Sequence, residues 1–144
     1  MKITKDIEID MGHRVTNHKS KCASLHGHRY KITAVVDDKV ITEKGISDEG
    51  MVIDFGDLKQ CMMNQFDDKY DHGFVLWRED PMAQIIKNDA NTKCVLVDFI
   101  PTAENLAKFW FELLDNELKA RKINLDSIIV YETPTSTATF CRGD

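Results

Sequence analysis

Residues 2–13, K-I-T-K-D-I-E-I-D-M-G-H, constrain this chain more than any other stretch. Ile3, Lys5, Ile7, Ile9, Met11 and His13 fall on one parity, and Lys2, Thr4, Asp6, Glu8 and Asp10 on the other. A period of two with apolar residues on one side is the pattern of a half-buried β-strand, here ending its apolar face on a histidine. A second alternating run occupies Tyr30 to Val36 and reads as part of a strand from about His26 to Lys39. Pairing the two runs makes a hairpin across residues 14–25 and brings His13 toward His26 and His28. In a strand those last two point to one face about 6.5 Å apart, while Gly27 points to the other. Three neutral imidazoles with a fourth position open are the ligand set of a catalytic zinc, whereas structural zinc takes four protein ligands including thiolates. Singly, each histidine is explained by surface or core packing; their shared parity leaves the metal reading and the packing reading both open.

The rest of the chain supplies two helices and more strand. Asp54 is placed to cap a helix over about Phe55 to Asp67, whose stripe is Phe55, Leu58, Met62 and Phe66. Tyr70-Asp71-His72-Gly73 follows, and then an apolar run, Phe74 to Trp77. Asp71 beside His72 is either a solvated pair or an acid/base couple held at a chain reversal. Residues 78–92 have weak periodicity and read as a short helix or an ordered surface loop, after which Lys93 to Phe99 alternates as an edge or short strand. The longest helical pattern opens at Pro101-Thr102, with Leu106, Phe109, Trp110, Leu113, Leu114 and Leu118 on its buried face and Lys108, Glu112, Asp115, Glu117 and Lys119 facing solvent. Thr102 is its expected N-cap, and the field at the helix start explains Glu104 as well as a catalytic role would. Ser127 to Thr133 and Ser136 to Arg142 close the chain as two strands. Glu132 shares a face with Ile128 and Val130, so it either emerges at the strand end or meets a ligand with two parallel N–H donors. The resulting order, β-β-α-β-α-β-β, predicts an α+β fold, an antiparallel sheet with two helices packed on one face.

At 144 residues the chain has the size of one domain spanning 1–144, and its net charge of -5 argues against non-specific binding to nucleic acid or an anionic membrane. No apolar stretch has the length of a membrane span or a signal-peptide core, which makes the cytoplasm the expected location. Cys22, Cys61, Cys94 and Cys141 lack the spacing of a four-thiolate zinc site, and disulfides are not expected in a reducing compartment. The basic loop His18-Lys19-Ser20-Lys21 is either a solvated turn or an anion-binding rim that favours the thiolate of Cys22. No GxGxxG or GxxxxGK[ST] motif is present.

Six motifs in order then carry a resemblance: His13 in D-M-G-H-R, C-A-S-L-H-G-H at 22–28, V-I-D-F-G-D-L-K at 52–59, Y-D-H at 70–72, P-T-A-E-N-L-A at 101–107 and Y-E-T at 131–133. Over nearly its full length the sequence resembles the 6-pyruvoyl-tetrahydropterin synthase and 6-carboxy-tetrahydropterin synthase family. The resemblance implies the tunnelling fold, in which sheets of several subunits close into a barrel, a homo-oligomer (hexamer or tetramer) with active sites between subunits. It implies Zn2+ on His13, His26 and His28, Cys22 as the proton-abstracting base, Asp71 and His72 as a second acid/base couple, and Glu132 as the anchor of a small-molecule pterin substrate. Glu104 matches a recurrent acidic position near the pterin. Three residues separate Cys22 from His26, as in the bacterial carboxy-forming branch, which implies conversion of 7,8-dihydroneopterin triphosphate to 6-carboxytetrahydropterin, acetaldehyde and triphosphate on the route to 7-deazaguanines such as queuosine. A pyruvoyl-forming synthase and a non-catalytic zinc-binding oligomeric scaffold are the alternatives. The sequence departs from the bacterial enzymes in a shorter 13–22 segment and an insertion at 78–92; Lys19, Lys21 and Arg29 are the candidates for triphosphate.

Overall fold

A computed structural model describes all residues, Met1–Asp144. Strand β1 (Lys2–His13) and strand β2 (His26–Asp37) form the expected antiparallel hairpin, in register from Lys2 opposite Asp37 to His13 opposite His26. Helix α1 (Phe55–Met62) runs on through a π-helical turn, Met63–Asp67, into a last short turn, α2 (Asp68–Tyr70). Strand β3 (Gly73–Trp77), helix α3 (Ala83–Lys87) and strand β4 (Cys94–Val97) follow, then the long helix α4 (Ala103–Ala120) and the hairpin of β5 (Leu125–Thr133) and β6 (Ser136–Cys141). The helix starts are capped as their sequences suggest. Asp54 accepts the N–H groups of Gly56 and Asp57, and the Thr102 hydroxyl accepts that of Asn105.

The six strands form one sheet in the order β4-β3-β1-β2-β5-β6. It is mixed rather than antiparallel: β3 lies parallel to β1, and β4 parallel to β3. The difference comes from the connections. A hairpin turn reverses direction, but the helical run 55–70 and the helix α3 each carry the chain back across the sheet before the next strand begins. The apolar run at 74–77 is thus a strand in its own right, so two strands stand where one was expected between the long helices.

One face of the sheet carries Ile7, Ile9, Met11, Tyr30, Ile32 and Val130, all buried, against α1 and α4. Trp110 sits at the centre of this core, its ring 5.7 Å from Phe66, 5.9 Å from Tyr70 and 6.1 Å from Tyr30. The short α3 is a third helix and packs on the opposite face, where Leu76, Ala83 and Cys94 form a smaller cluster. Two side chains depart from their expected sides. Phe55 is 52% exposed, since it stands at the first position of α1 where the stripe runs off the core. Asp115 is only 5% exposed; its charge is met by Lys119 Nζ at 2.6 Å and by Arg142 from beyond β6. No helix is long and apolar enough to cross a membrane.

Removing buried atoms at Leu58, which has no exposure, leaves a void that the sheet and helices cannot collapse into. Leu58→Ala is expected to destabilise by about 2–5 kcal/mol in urea titration. Phe55→Ala should cost less than about 1 kcal/mol by the same measurement; equal losses would contradict the placement of this helix.

Candidate active site

The register of the first hairpin builds the centre of the site. His13 stands opposite His26, and Met11 opposite His28, so the three imidazoles come from adjacent positions on the helix-bearing face. Their ring centroids lie 4.6 Å (His13–His26), 5.2 Å (His13–His28) and 4.9 Å (His26–His28) apart. One nitrogen of each lies within 4.8 Å of the others. On the reverse face the two glycines between them, Gly12 and Gly27, are themselves cross-strand partners. Gly12 packs so closely under Phe74 that a Cβ there would lie 2.4 Å from the ring.

The hydrogen bonds decide which nitrogens are free. His13 Nδ1 lies 2.7 Å from the carbonyl oxygen of Pro101, and His26 Nδ1 lies 2.7 Å from that of Ser24. A carbonyl only accepts, so both Nδ1 atoms carry the proton and both Nε2 atoms keep a lone pair. His28 Nε2 is buried and has no hydrogen-bond partner. An orphaned buried nitrogen beside two oriented imidazoles is the donor set a divalent metal takes, with the carbonyls serving as the outer supports that fix ring orientation. Burial lowers the pKa of His13 and also that of His28, against the opposing pull of Glu132, and so favours the neutral form that ligates.

Three further groups border the triad. Glu132 Oε1 lies 3.6 Å from His13 Nε2 and 3.9 Å from His28 Nε2. The Tyr30 hydroxyl lies 3.2 Å from His13 Nε2, and burial, reinforced by the Glu132 charge, raises its pKa and keeps it a phenol. Cys22 sits half-buried on a 3₁₀ turn, Lys21–Ala23, and shares a cavity of about 240 Å³ with His18, Thr102, Glu104 and Glu132. The structure therefore brings Cys22, Glu104 and Glu132 together at the edge of the triad.

Asp71 and His72 are elsewhere. They lie at the start of β3, and His72 lines a different cavity with Asp10, Arg29, His26 and His28. His72 has a φ of 56°, a left-handed conformation that is costly for a residue other than glycine. It is held there by its N–H donating to Asp10 O at 2.7 Å and by Lys93 Nζ donating to Asp71 O at 2.7 Å. His72 Nδ1 and Asp71 Oδ2 are 2.6 Å apart, and Asp71 Oδ1 accepts the Asp10 N–H at 2.8 Å. Partial burial alone would raise the Asp71 carboxyl, but the Asp10 N–H and the His72 ring outweigh it and hold the group below the usual carboxylate range. Arg29, a candidate for triphosphate, is already held by Asp10 through Nε at 3.1 Å and Nη2 at 3.0 Å.

Sequence reasoning missed Tyr30 and Pro101. Tyr30 shares the parity of His26 and His28, a signal that could have placed it here. Nothing local marks the Pro101 carbonyl, which reaches His13 from 88 residues away.

The sequence model of the 6-pyruvoyl tetrahydropterin synthase family matches residues 2–142. A Haemophilus influenzae protein named 6-carboxy-5,6,7,8-tetrahydropterin synthase is 35% identical over 145 residues, covering 98% of this chain and 96% of its own. Its namesake in Rickettsia conorii is 37% identical over 137 residues, covering 93% and 95%. Among solved structures, an uncharacterized protein from Wolinella succinogenes superposes with a TM-score of 0.81 at 22% identity, covering 99% of this chain and 98% of that one. The 6-pyruvoyl tetrahydropterin synthase of Caenorhabditis elegans does so with a TM-score of 0.68 at 22% identity, covering 98% and 94%.

The lowered histidine pKa values carry a sign for the metal-free protein. Below about 6.5 the unfolded chain takes up protons that folded His13 and His28 resist, so stability present above that pH is lost as the pH falls toward their depressed values. The urea midpoint of the metal-free protein should drop between about pH 7 and pH 5.5 and should drop less in His13→Gln; identical slopes would contradict the burial of neutral His13.

Proposed function

The chain belongs to the 6-pyruvoyl tetrahydropterin synthase family, and from that premise we propose that it is a cytoplasmic 6-carboxy-5,6,7,8-tetrahydropterin synthase. It converts 7,8-dihydroneopterin triphosphate to 6-carboxytetrahydropterin, acetaldehyde and triphosphate, in the synthesis of 7-deazaguanines such as queuosine. The observation that carries this reading is the convergence of His13, His26 and His28, with an unprotonated Nε2 on two of them and an unpartnered nitrogen on the third, beside a cavity holding both Cys22 and Glu132.

His13, His26 and His28 would hold zinc, and the chemistry it would supply there is Lewis-acid stabilisation of charge developing on the substrate side chain. Glu132 accepts hydrogen bonds from the pterin N3 and 2-amino groups, a paired contact that a carboxylate is shaped to make. Glu104, which lines the same cavity, adds a second carboxylate on the ring side. Cys22, whose side chain lines that cavity, then takes the proton from the carbon that bears a hydroxyl. His72, oriented by the contact of its Nδ1 with Asp71, moves protons at the neighbouring carbon as triphosphate leaves. The neutral phenol of Tyr30 is fully buried beneath the triad, with its hydroxyl 3.2 Å from His13 Nε2.

Cys22 and His72 line separate cavities of one chain. A homo-oligomer resolves this, with the Asp71–His72 turn of a neighbouring copy facing each Cys22. The open edges of the sheet at β4 and β6 leave backbone groups for such an assembly.

Incubation of the zinc-loaded protein with 7,8-dihydroneopterin triphosphate should release acetaldehyde and 6-carboxytetrahydropterin, identified by mass spectrometry. A pyruvoyl product would move the chain to the other branch of the family, and zinc retention without turnover would overturn the enzymatic reading. Cys22→Ala should lower kcat by about 10²-fold or more while leaving zinc content unchanged; full turnover in that variant would remove Cys22 from the role of base.

A further inference from the structure

We infer that Asp80, in the segment between β3 and α3, is a positioning residue for Cys22. Residues 78–92 read from sequence as a short helix or surface loop, yet the Asp80 side chain is fully buried. A buried carboxylate is costly unless its oxygens are met. Here Oδ1 accepts the N–H of Met82 at 2.7 Å, within its own turn. Oδ2 serves the other side of the molecule: it accepts the Thr16 hydroxyl and lies 2.9 Å from Arg14 Nε. The Arg14 contact is an ion pair rather than an aligned hydrogen bond, and that nitrogen is itself buried with no other partner.

Arg14 and Thr16 flank Val15, and Val15 holds Cys22. The Val15 N–H donates to the Cys22 carbonyl at 2.8 Å, and the Val15 carbonyl accepts the His18 N–H at 3.1 Å. The remaining hydrogen bonds of residues 14–25 stay within residues 14–26. Between its two ends in the sheet, the loop carrying Cys22 is therefore tied to the rest of the chain by polar contacts only at Asp80. The anchor is rigid. The Asp80 N–H donates to Trp77 O at 2.9 Å, its carbonyl accepts the Ala83 N–H at 2.9 Å, and β3 runs in parallel register with β1 through Val75 opposite His13. Asp80 thus transmits the position of the sheet to the thiol through two side-chain contacts and one backbone hydrogen bond. A misplacement of an ångström at a reacting group costs about 10²-fold in rate, so this tie bears on catalysis without touching substrate.

The inference rests on the reading of Cys22 as the base, and its test includes a measurement that needs no turnover. In zinc-loaded, full-length Asp80→Asn, iodoacetamide alkylation of the Cys22 peptide, followed by mass spectrometry apart from Cys61, Cys94 and Cys141, should change by about threefold or more. The same variant should keep its zinc, lose about tenfold in kcat and hold KM within about twofold. Thr16→Val, which cuts one contact, should move both rates in the same direction, and Thr16→Ser should restore them. An altered alkylation rate with unchanged kcat would support the positioning of Cys22 by Asp80 and refute Cys22 as the base instead. Wild-type alkylation in a folded variant, whether kcat is retained or falls together with zinc, would overturn the inference. Should Asp80→Asn not fold, the Thr16 pair decides: wild-type alkylation in Thr16→Val overturns it.

Discussion

The register between β1 and β2 is the constraint on which the rest of this molecule depends. Side chains alternate across a strand, so slipping one strand by a single residue would send His26 and His28 to the face away from His13. The register is specified along its whole length, from Lys2 opposite Asp37 to His13 opposite His26, because every step that buries Ile7, Ile9 and Met11 also buries Tyr30, Ile32 and Ala34. The ion pairs of the reverse face agree with it: Arg29 meets Asp10, its direct cross-strand partner, and Lys31 approaches Asp6. Exposed pairs of this kind contribute little to stability, so the buried face sets the register and the charged face follows.

The histidines stand at the end of the hydrophobic core, His13 buried and His26 and His28 half-buried. Tyr30 joins the two regions, with its ring 6.1 Å from Trp110 on one side and 5.8 Å from His13 on the other. Packing that excludes water from Trp110 thereby extends to the imidazoles, and the same desolvation that lowers the His13 and His28 pKa values leaves lone pairs available for a metal. Burial at this point has a cost, seen in the unpartnered His28 Nε2. A bound cation would offset it, which connects the energetics of the core to the proposed chemistry.

Much of this was readable from the amino-acid pattern, and the remainder has identifiable physical causes. The period of two in residues 2–13 and 30–36, the stripes of the two long helices, and the caps at Asp54 and Thr102 are local signals, and the elements they predict are present. The parity of His13, His26 and His28 is a signal of the same kind, and they share one face as it implies. The direction of β3 and β4 was not readable, since a four- or five-residue apolar run has the same composition in a parallel or an antiparallel ladder. Asp115 was expected to face solvent, and Asp80 lies in a segment whose pattern gives no sign of burial. Each is buried because a cationic partner distant in sequence comes to meet it, Arg142 for one and Arg14 for the other, and no local rule reports such a pairing. Cys22, Asp71 and Glu132 stood out through resemblance to known synthases, but only the fold separates Cys22 and Glu132 from the Asp71–His72 turn.

The central claim is that His13, His26 and His28 are the metal's only protein ligands. X-ray absorption at the zinc edge of the zinc-loaded protein without substrate tests it most directly. The expected result is three imidazole nitrogens at about 2.0 Å with only solvent oxygen beside them. A sulfur scatterer at about 2.3 Å, which would make Cys22 a ligand and remove it as a base, or a shell lacking imidazole would contradict it.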